Sequence, residues 1–92
     1  MILSFKHKGL EQFFKTGSTA GIQAKHAKKL NLQLATLNNA ETPLAMSVPS
    51  WNLHKLKGDL QEYWAVTVNG NLRLTFKFEN GHAEIVDYQD YH

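Results

Sequence analysis

The chain of 92 residues is long enough for one domain and too short for two. Its composition, 42% hydrophobic and 11% aromatic, is that of a globular protein with an ordinary core and argues against disorder. The absence of cysteine excludes disulfides, thiolate metal ligands and thiol nucleophiles. We therefore expect a single domain over residues 1–92.

The net charge of +2 is unevenly distributed along the chain. Residues 1–37 contain six lysines and one acidic residue, whereas residues 78–92 contain four acidic residues and neither lysine nor arginine. A basic surface attracts polyanions, which favours nucleic acid or a ribosome as the partner. The candidate RNA- or ribosome-binding residues are Lys6, Lys8, Lys25, Lys28 and Lys29. The alternative for these lysines is an ordinary solvated helix surface.

The opening residues, MILSFKHKG, do not have the apolar stretch of a secretory signal. No segment approaches the roughly 20 apolar residues that a membrane-spanning helix needs. We therefore expect a cytoplasmic protein without a membrane role.

Two helices are predicted in the first half of the chain. Residues 1–5 alternate weakly and predict a short strand, and Leu10, Phe13 and Phe14 then indicate a helix that stops near Gly17. A longer helix is predicted from about residue 23 to residue 39, because apolar residues recur at spacings of three and four: Ala24, Ala27, Leu30, Leu34 and Leu37. Its polar side carries Lys25, Lys28, Lys29 and Gln33. Residues 40–50 contain both prolines and no sustained period, which predicts a connection.

Three strands are predicted in the second half. Apolar residues alternate with polar or small ones over residues 63–68 and again over residues 72–78. A third run, residues 82–88, follows Asn80 and Gly81, the dipeptide typical of a two-residue hairpin turn. We therefore predict a three-stranded antiparallel meander. The expected fold class is α+β, with two N-terminal helices packed on one face of an antiparallel sheet.

The turns predict the register of these strands. The second hairpin should pair Glu79 with His82, Phe78 with Ala83, Lys77 with Glu84, Phe76 with Ile85, and Arg73 with Tyr88. A three-residue loop over residues 69–71 should pair Val68 with Leu72, Val66 with Leu74, and Trp64 with Phe76. If the last strand is regular, a polar surface centred on Arg73 also contains Thr75, Lys77, Glu84, Val86, Tyr88, Asp90 and His92.

Four motifs follow one another in the second half of the chain: LKGD, a strand with YW, a strand with R-x-T-F, and a final DYH. Together with the opening SFKHKGLEQFFKTG, they resemble the HigB branch of the RelE-like toxins. The resemblance implies the RelE-like microbial ribonuclease fold, an antitoxin partner similar to HigA, and cleavage of messenger RNA in the ribosomal decoding site. It implies contact with operator DNA only through the antitoxin, and no cofactor. The catalytic residues that it implies are His54, Lys57, Arg73, Asp90, Tyr91 and His92.

These residue types suit RNA cleavage without a metal. The reaction needs a base for the 2′-hydroxyl proton, cationic donors for the phosphate oxygens and an acid for the departing 5′-oxygen. His54 and His92 are the candidates for base and acid, in either order, since an imidazole titrates near pH 6.5, and Asp90 can orient one of them. Arg73 suits two-point contact with phosphate, while Lys57 supplies a compact charge.

Tyr91 can stack on a base or donate a hydrogen bond. The alternatives for these residues are a structural His54 and a frayed chain end over residues 90–92. A metal site that uses the same histidines is disfavoured, because the chain lacks the close ligand spacing of known sites. The other histidines, His7, His26 and His82, are expected in surface or capping roles.

Two other functions compete with RNA cleavage. Some members of the wider superfamily inhibit DNA gyrase by binding rather than by cutting RNA. Proton-transfer residues argue against this alternative, since a stoichiometric inhibitor does not need them. The other alternative is that the chain acts with its antitoxin as a corepressor at operator DNA, which is compatible with RNA cleavage as a second role.

Overall fold

The computed structural model describes residues 1–60 and 62–90, which form two α-helices and a four-stranded antiparallel sheet. The helices are α1 (Lys8–Thr16) and α2 (Ala27–Asn39). The strands lie in chain order and are β1 (His54–Lys55), β2 (Tyr63–Asn69), β3 (Leu72–Glu79) and β4 (His82–Asp90). The predicted α+β class and the C-terminal meander are therefore confirmed, and the short β1 adds a fourth strand beside β2.

Helix α1 begins and ends as its sequence predicts. The Nδ1 atom of His7 accepts a hydrogen bond from the Leu10 amide at 3.0 Å, which confirms a capping role for His7. Gly17 adopts a left-handed conformation, with φ of 81°, and its amide donates to the Phe13 carbonyl. Leu10 and Phe13 are buried in the core.

Helix α2 supplies most of the core that covers the sheet. Leu30, Leu34 and Leu37 are buried as predicted, while residues 24–26 form a separate 3-10 turn before the helix. The prediction that Gln33 lies on the solvated side is wrong, because this side chain is fully buried. Its Nε2 donates to the Thr67 carbonyl at 2.9 Å and so joins α2 to β2.

The amino-terminal segment over residues 1–6, here called the amino-terminal strap, pairs in parallel with β4. It forms two isolated bridges, from Ile2 to Ala83 and from Phe5 to Val86, instead of the predicted continuous strand. The interruption lies at Ile85, which has a φ of 54° and breaks the regular ladder between the two bridges. The strap therefore covers the outer edge of β4.

The first hairpin has the predicted register along most of its length. Trp64 pairs with Phe76, and Val66 pairs with Leu74. Close to the turn, Asn69 rather than Val68 pairs with Leu72, so the predicted pair between Val68 and Leu72 is wrong. Val68 is the extra residue of a bulge, which leaves a tighter turn at residues 70 and 71.

The second hairpin begins as predicted and then changes register. The pairs from Glu79 with His82 to Lys77 with Glu84 are confirmed, but the extra residue near Ile85 shifts the remainder of β4 by one position. Arg73 therefore pairs with Gln89 and not with Tyr88. A register shift of one position moves every following side chain of β4 to the opposite face of the sheet. Val86 and Tyr88 are therefore buried in the core instead of lying on the polar surface.

His26 is buried between helix and sheet, and the prediction of a surface or capping role is wrong for it. Its side chain is 5% exposed, its Nδ1 lies 2.9 Å from the Tyr88 hydroxyl, and its Nε2 lies 3.3 Å from Asn69 Nδ2. Burial, followed by the positive charges of Lys25 and Lys29, lowers the pKa of His26 below 6.5. The imidazole is therefore neutral at pH 7.

Gly9 and Gly21 bring helix α1 against the loop that precedes α2. A Cβ atom at Gly9 would lie 2.4 Å from the Gly21 carbonyl oxygen, and a Cβ atom at Gly21 would lie 2.5 Å from Gly9 Cα. Both contacts involve backbone atoms, which cannot move aside as a flexible side chain can. Glycine at both positions is therefore a packing requirement.

Replacing Gly9 with alanine should destabilise the protein although Gly9 lies in a helix. Gly→Ala in an unobstructed helix stabilises by about 0.5–1 kcal/mol, whereas forced overpacking costs about 1–3 kcal/mol. We expect urea unfolding to show a lower free energy of unfolding for Gly9→Ala. Gln12→Ala, at an exposed position of α1, serves as the control. A Gly9→Ala variant as stable as the wild type would contradict the close backbone contact.

The buried neutral His26 should make stability sensitive to mild acid. Below pH 6.5 the unfolded chain binds a proton at this imidazole while the folded chain does not, so the stability present above pH 6.5 falls as pH falls. His26→Gln should be less stable than the wild type at pH 7.5, and the difference should shrink towards pH 5.5. Urea unfolding across this range measures it, with His54→Gln as a control for losing an exposed histidine. Parallel profiles for wild type and His26→Gln would refute the burial of a neutral imidazole.

Candidate active site

The helices cover one face of the sheet. The other face, here called the open face, carries the predicted site residues of β1 and β3. Register places His54 opposite Ala65 and places Arg73 opposite Thr67, so both side chains lie on the open face. They line one cleft of about 190 Å³, here called the hairpin cleft. Its other lining residues include Asn52, Thr67, Asn71 and Leu72.

His54 is exposed, and its ring orientation is set by a local hydrogen bond. Its Nδ1 lies 2.8 Å from the Asn52 carbonyl oxygen, which only accepts, so Nδ1 carries the proton and donates. In the neutral ring, Nε2 then holds the lone pair and is the atom that can take a proton. Asn52 reaches this position through a left-handed backbone, with a φ of 53°, that asparagine tolerates better than most residues.

Arg73 supplies the permanent positive charge of the hairpin cleft. Its side chain is half-buried on β3, and no acidic residue lines the cleft among the residues that the structure describes. A guanidinium beside an imidazole suits a phosphate group, because the guanidinium can donate two parallel hydrogen bonds to phosphate oxygens. Lys57 is exposed just after β1 and does not line this cleft.

The predicted residues at the end of the chain are only partly described. Asp90 is exposed and pairs with Leu72, a lining residue of the hairpin cleft. The prediction that Asp90 shares a face with Arg73 is wrong, because the bulge in β4 places Gln89 opposite Arg73 instead. Tyr91 and His92 lie outside the described residues.

A second cleft, of about 150 Å³, lies on the same open face and contains residues that sequence reasoning missed. Its polar residues include Thr75, Asp87 and Gln89, and the Gln89 amide donates to the Thr75 hydroxyl at 3.0 Å. Asp87 and Gln89 reach this face only because of the bulge near Ile85. The alternation of residues in β4 contained no signal of that bulge, so the regular register assigned both to the wrong side.

The candidate RNA-binding lysines divide between two surfaces. Lys6 lines the second cleft, and Lys8 is the first residue of α1. Lys25, Lys28 and Lys29 line a separate groove beside α2, which shares no lining residue with the hairpin cleft. The structure therefore does not bring these three lysines together with His54 and Arg73.

Within residues 1–60 and 62–90, no group of three or more His, Asp or Glu side chains lies close enough to hold a metal ion. Over the same ranges, every helix is too short or too polar to cross a bilayer.

Comparisons with known proteins place the chain in a family. The model of the HigB-like toxins, described as the RelE-like toxin of the type II toxin–antitoxin system HigB, matches residues 3–92. The endoribonuclease HigB of Proteus vulgaris is 44% identical over the full length of both chains. A chain of the YoeB–YefM complex from Staphylococcus aureus superposes with a TM-score of 0.64 at 21% identity, covering 100% of this chain and 98% of that chain, which shows a shared fold. The protein therefore belongs to the HigB-like family of RelE-like toxins, the toxin components of type II toxin–antitoxin systems.

Proposed function

We propose that this toxin is an endoribonuclease that cuts messenger RNA on the ribosome through attack by the RNA 2′-hydroxyl. Its family and its similarity to an endoribonuclease support the activity. The observation that carries the proposed chemistry is the orientation of His54: Nδ1 donates to the Asn52 carbonyl while the ring lines a cleft with Arg73. A base and a phosphate-binding cation thus share one small space.

In the proposed reaction, Nε2 of His54 takes the proton of the 2′-hydroxyl as its oxygen attacks the adjacent phosphorus. Arg73 donates hydrogen bonds to the phosphate oxygens, on which negative charge grows in the transition state. The bond from phosphorus to the 5′-oxygen breaks, and an acid protonates the departing oxygen. The products are a 2′,3′-cyclic phosphate and a 5′-hydroxyl, and every step uses a protein side chain rather than a cofactor.

The end of the chain is proposed to complete this site. The family resemblance supports His92 as the acid, Asp90 as its orienting carboxylate and Tyr91 as a stacking or hydrogen-bonding residue. Asp90 pairs with Leu72, a lining residue of the hairpin cleft, so the last described residue of β4 lies beside that cleft, although its side chain is on the other face from Arg73. Lys57 is proposed to contact the RNA from outside the cleft.

The family also implies an antitoxin partner. We propose a HigA-like antitoxin that contacts operator DNA, and a cytoplasmic site of action at the ribosomal decoding site. Lys6 and Lys8 are proposed to attract the RNA, because Lys6 lines the cleft next to Thr75 on the open face and Lys8 follows it closely in the chain. We propose that residues 1–92 form a single toxin domain.

Incubation of the purified chain with ribosomes programmed with messenger RNA tests the proposal directly. New 5′ ends mapped within the coding sequence are the expected result. A gyrase assay with the same preparation tests the binding alternative. Intact messenger RNA together with inhibited gyrase would refute the proposed activity in favour of that alternative.

His54→Gln should lower the single-turnover cleavage rate by a factor of roughly 10² to 10⁴, the usual contribution of a general base. The fold should not change, because His54 is exposed. Lys55→Gln is the matched control, since Lys55 is the other residue of β1 and lies on the opposite face over the Trp64 ring. Thermal melting establishes that both variants fold. Equal rates for His54→Gln and Lys55→Gln would remove His54 from proton transfer.

Replacing the 2′-hydroxyl with hydrogen at the cleaved nucleotide should abolish cutting and leave binding of the toxin to programmed ribosomes unchanged. The reason is that the nucleophile is then absent while the phosphate and the bases remain. Mass spectrometry of the products from unmodified RNA should detect a 2′,3′-cyclic phosphate or its 3′-phosphate hydrolysis product. Cleavage of the deoxy substrate at the normal rate would show that water is the nucleophile.

A further inference from the structure

The outer surface of α2 carries an apolar groove that the proposed RNA cleavage does not use. The groove is about 630 Å³ in volume, several times larger than the hairpin cleft. The residues that shape it are Lys25, Lys28, Lys29, Leu32, Ala35 and Trp51. The groove and the hairpin cleft share no lining residue, although Trp51 of the groove and Asn52 of the cleft are adjacent in the chain.

Leu32 is the most unusual residue of the groove. The other leucines of α2 are buried in the core, whereas Leu32 is 57% exposed. A single exposed leucine is common on protein surfaces, but this one lies in a concave surface together with Ala35 and Trp51. An apolar side chain of a partner can therefore lie against this surface.

Three lysines give the groove a strong positive charge. Residues 24–40 contain no acidic residue, and none lines the groove among the described residues. The positive potential reaches the interior, since Lys25 and Lys29 contribute to the lowered pKa of His26. A partner that binds this surface must therefore be negatively charged.

RNA matches the positive charge of the lysines but not the apolar floor of the groove, which is formed by Leu32, Ala35 and Trp51. Stacking of a base requires an exposed aromatic face, and Trp51 is only 4% exposed. Phosphates would leave Leu32 and Ala35 without an apolar partner. A protein segment with acidic residues along one side and apolar residues along the other matches both the charge and the floor.

We propose that this groove, formed by α2 and Trp51, binds an acidic amphipathic segment of the antitoxin. The inference rests on the proposed antitoxin partner and specifies the surface and the chemistry of that contact. Apolar side chains of the segment lie against Leu32 and Ala35, and its carboxylates pair with Lys25, Lys28 and Lys29.

The test measures binding of the antitoxin, purified from its co-expressed complex with the toxin, to toxin variants by calorimetry. Leu32→Asp and Lys28→Glu should each weaken binding by at least about tenfold, as expected for a residue at the centre of an interface. Leu44→Asp is the matched control: Leu44 is 68% exposed and does not line the groove. Its affinity should equal that of the wild type, and melting curves establish that all variants fold.

A photo-crosslinking residue at position 32 identifies the bound segment. The crosslinked antitoxin peptide should be rich in Asp and Glu, and a basic peptide would overturn the proposal. Equal antitoxin affinity for Leu32→Asp and Leu44→Asp would also overturn it while leaving the partner itself intact. Failure of the wild-type toxin to bind the antitoxin would refute the partner and this inference together.

Binding of the same variants to purified ribosomes distinguishes RNA from protein as the occupant. We expect ribosome affinity and cleavage of programmed messenger RNA to be unchanged for Leu32→Asp. Loss of ribosome affinity in Lys28→Glu with normal antitoxin affinity would assign the groove to ribosomal RNA and overturn the proposal.

Discussion

The extra residue in β4 near Ile85 determines which side chains reach the core and which reach the site. Without it, Val86 and Tyr88 would lie on the open face, and Asp87 and Gln89 would lie under the helices. With it, the core receives two large side chains, and the open face receives a carboxylate and an amide beside Arg73. The core and the open face therefore both depend on this one bulge in the backbone.

The amino-terminal strap satisfies the hydrogen bonds that this irregularity leaves unpaired in the ladder. The Ile85 amide donates to the Ser4 hydroxyl at 2.9 Å, and the Val86 amide donates to the Ser4 carbonyl at 3.1 Å. A β-branched residue at positive φ is strained, so its persistence requires surrounding contacts that hold it. The strap, which is only residues 1–6, supplies such contacts.

Much of the fold follows from regular patterns in the sequence. Period-2 and helical spacings predicted β2, β3 and both helices, and the Asn80-Gly81 turn predicted the register close to it. These signals come from residues that are close together in sequence, so they can be recognised without the structure. Local patterns do not predict the burial of Gln33 and His26, because their partners, the Thr67 carbonyl and Tyr88, lie 34 and 62 residues away in sequence. No local pattern contains such contacts.

The candidate site was only partly predictable from the sequence. The register of the first hairpin placed Arg73 on the open face, while the assignment of His54 depended on the resemblance to a family. The role of the Asn52 carbonyl in orienting His54 was not predictable, because it depends on a left-handed backbone at residue 52. The faces of Val86, Asp87, Tyr88 and Gln89 were predicted wrongly for one reason. The bulge that reverses them has no fixed sequence signature.

The pairing of the strap with β4 also affects when the protein can fold during its synthesis. Ser4 and Ile85 are 81 residues apart, so the ribosome must synthesise both of these residues and all those between them before this contact can form. The contacts that hold the bulge at Ile85 therefore form late in folding. We therefore expect Asp87 and Gln89, which the bulge places on the open face, to take their final positions only after the strap has paired with β4.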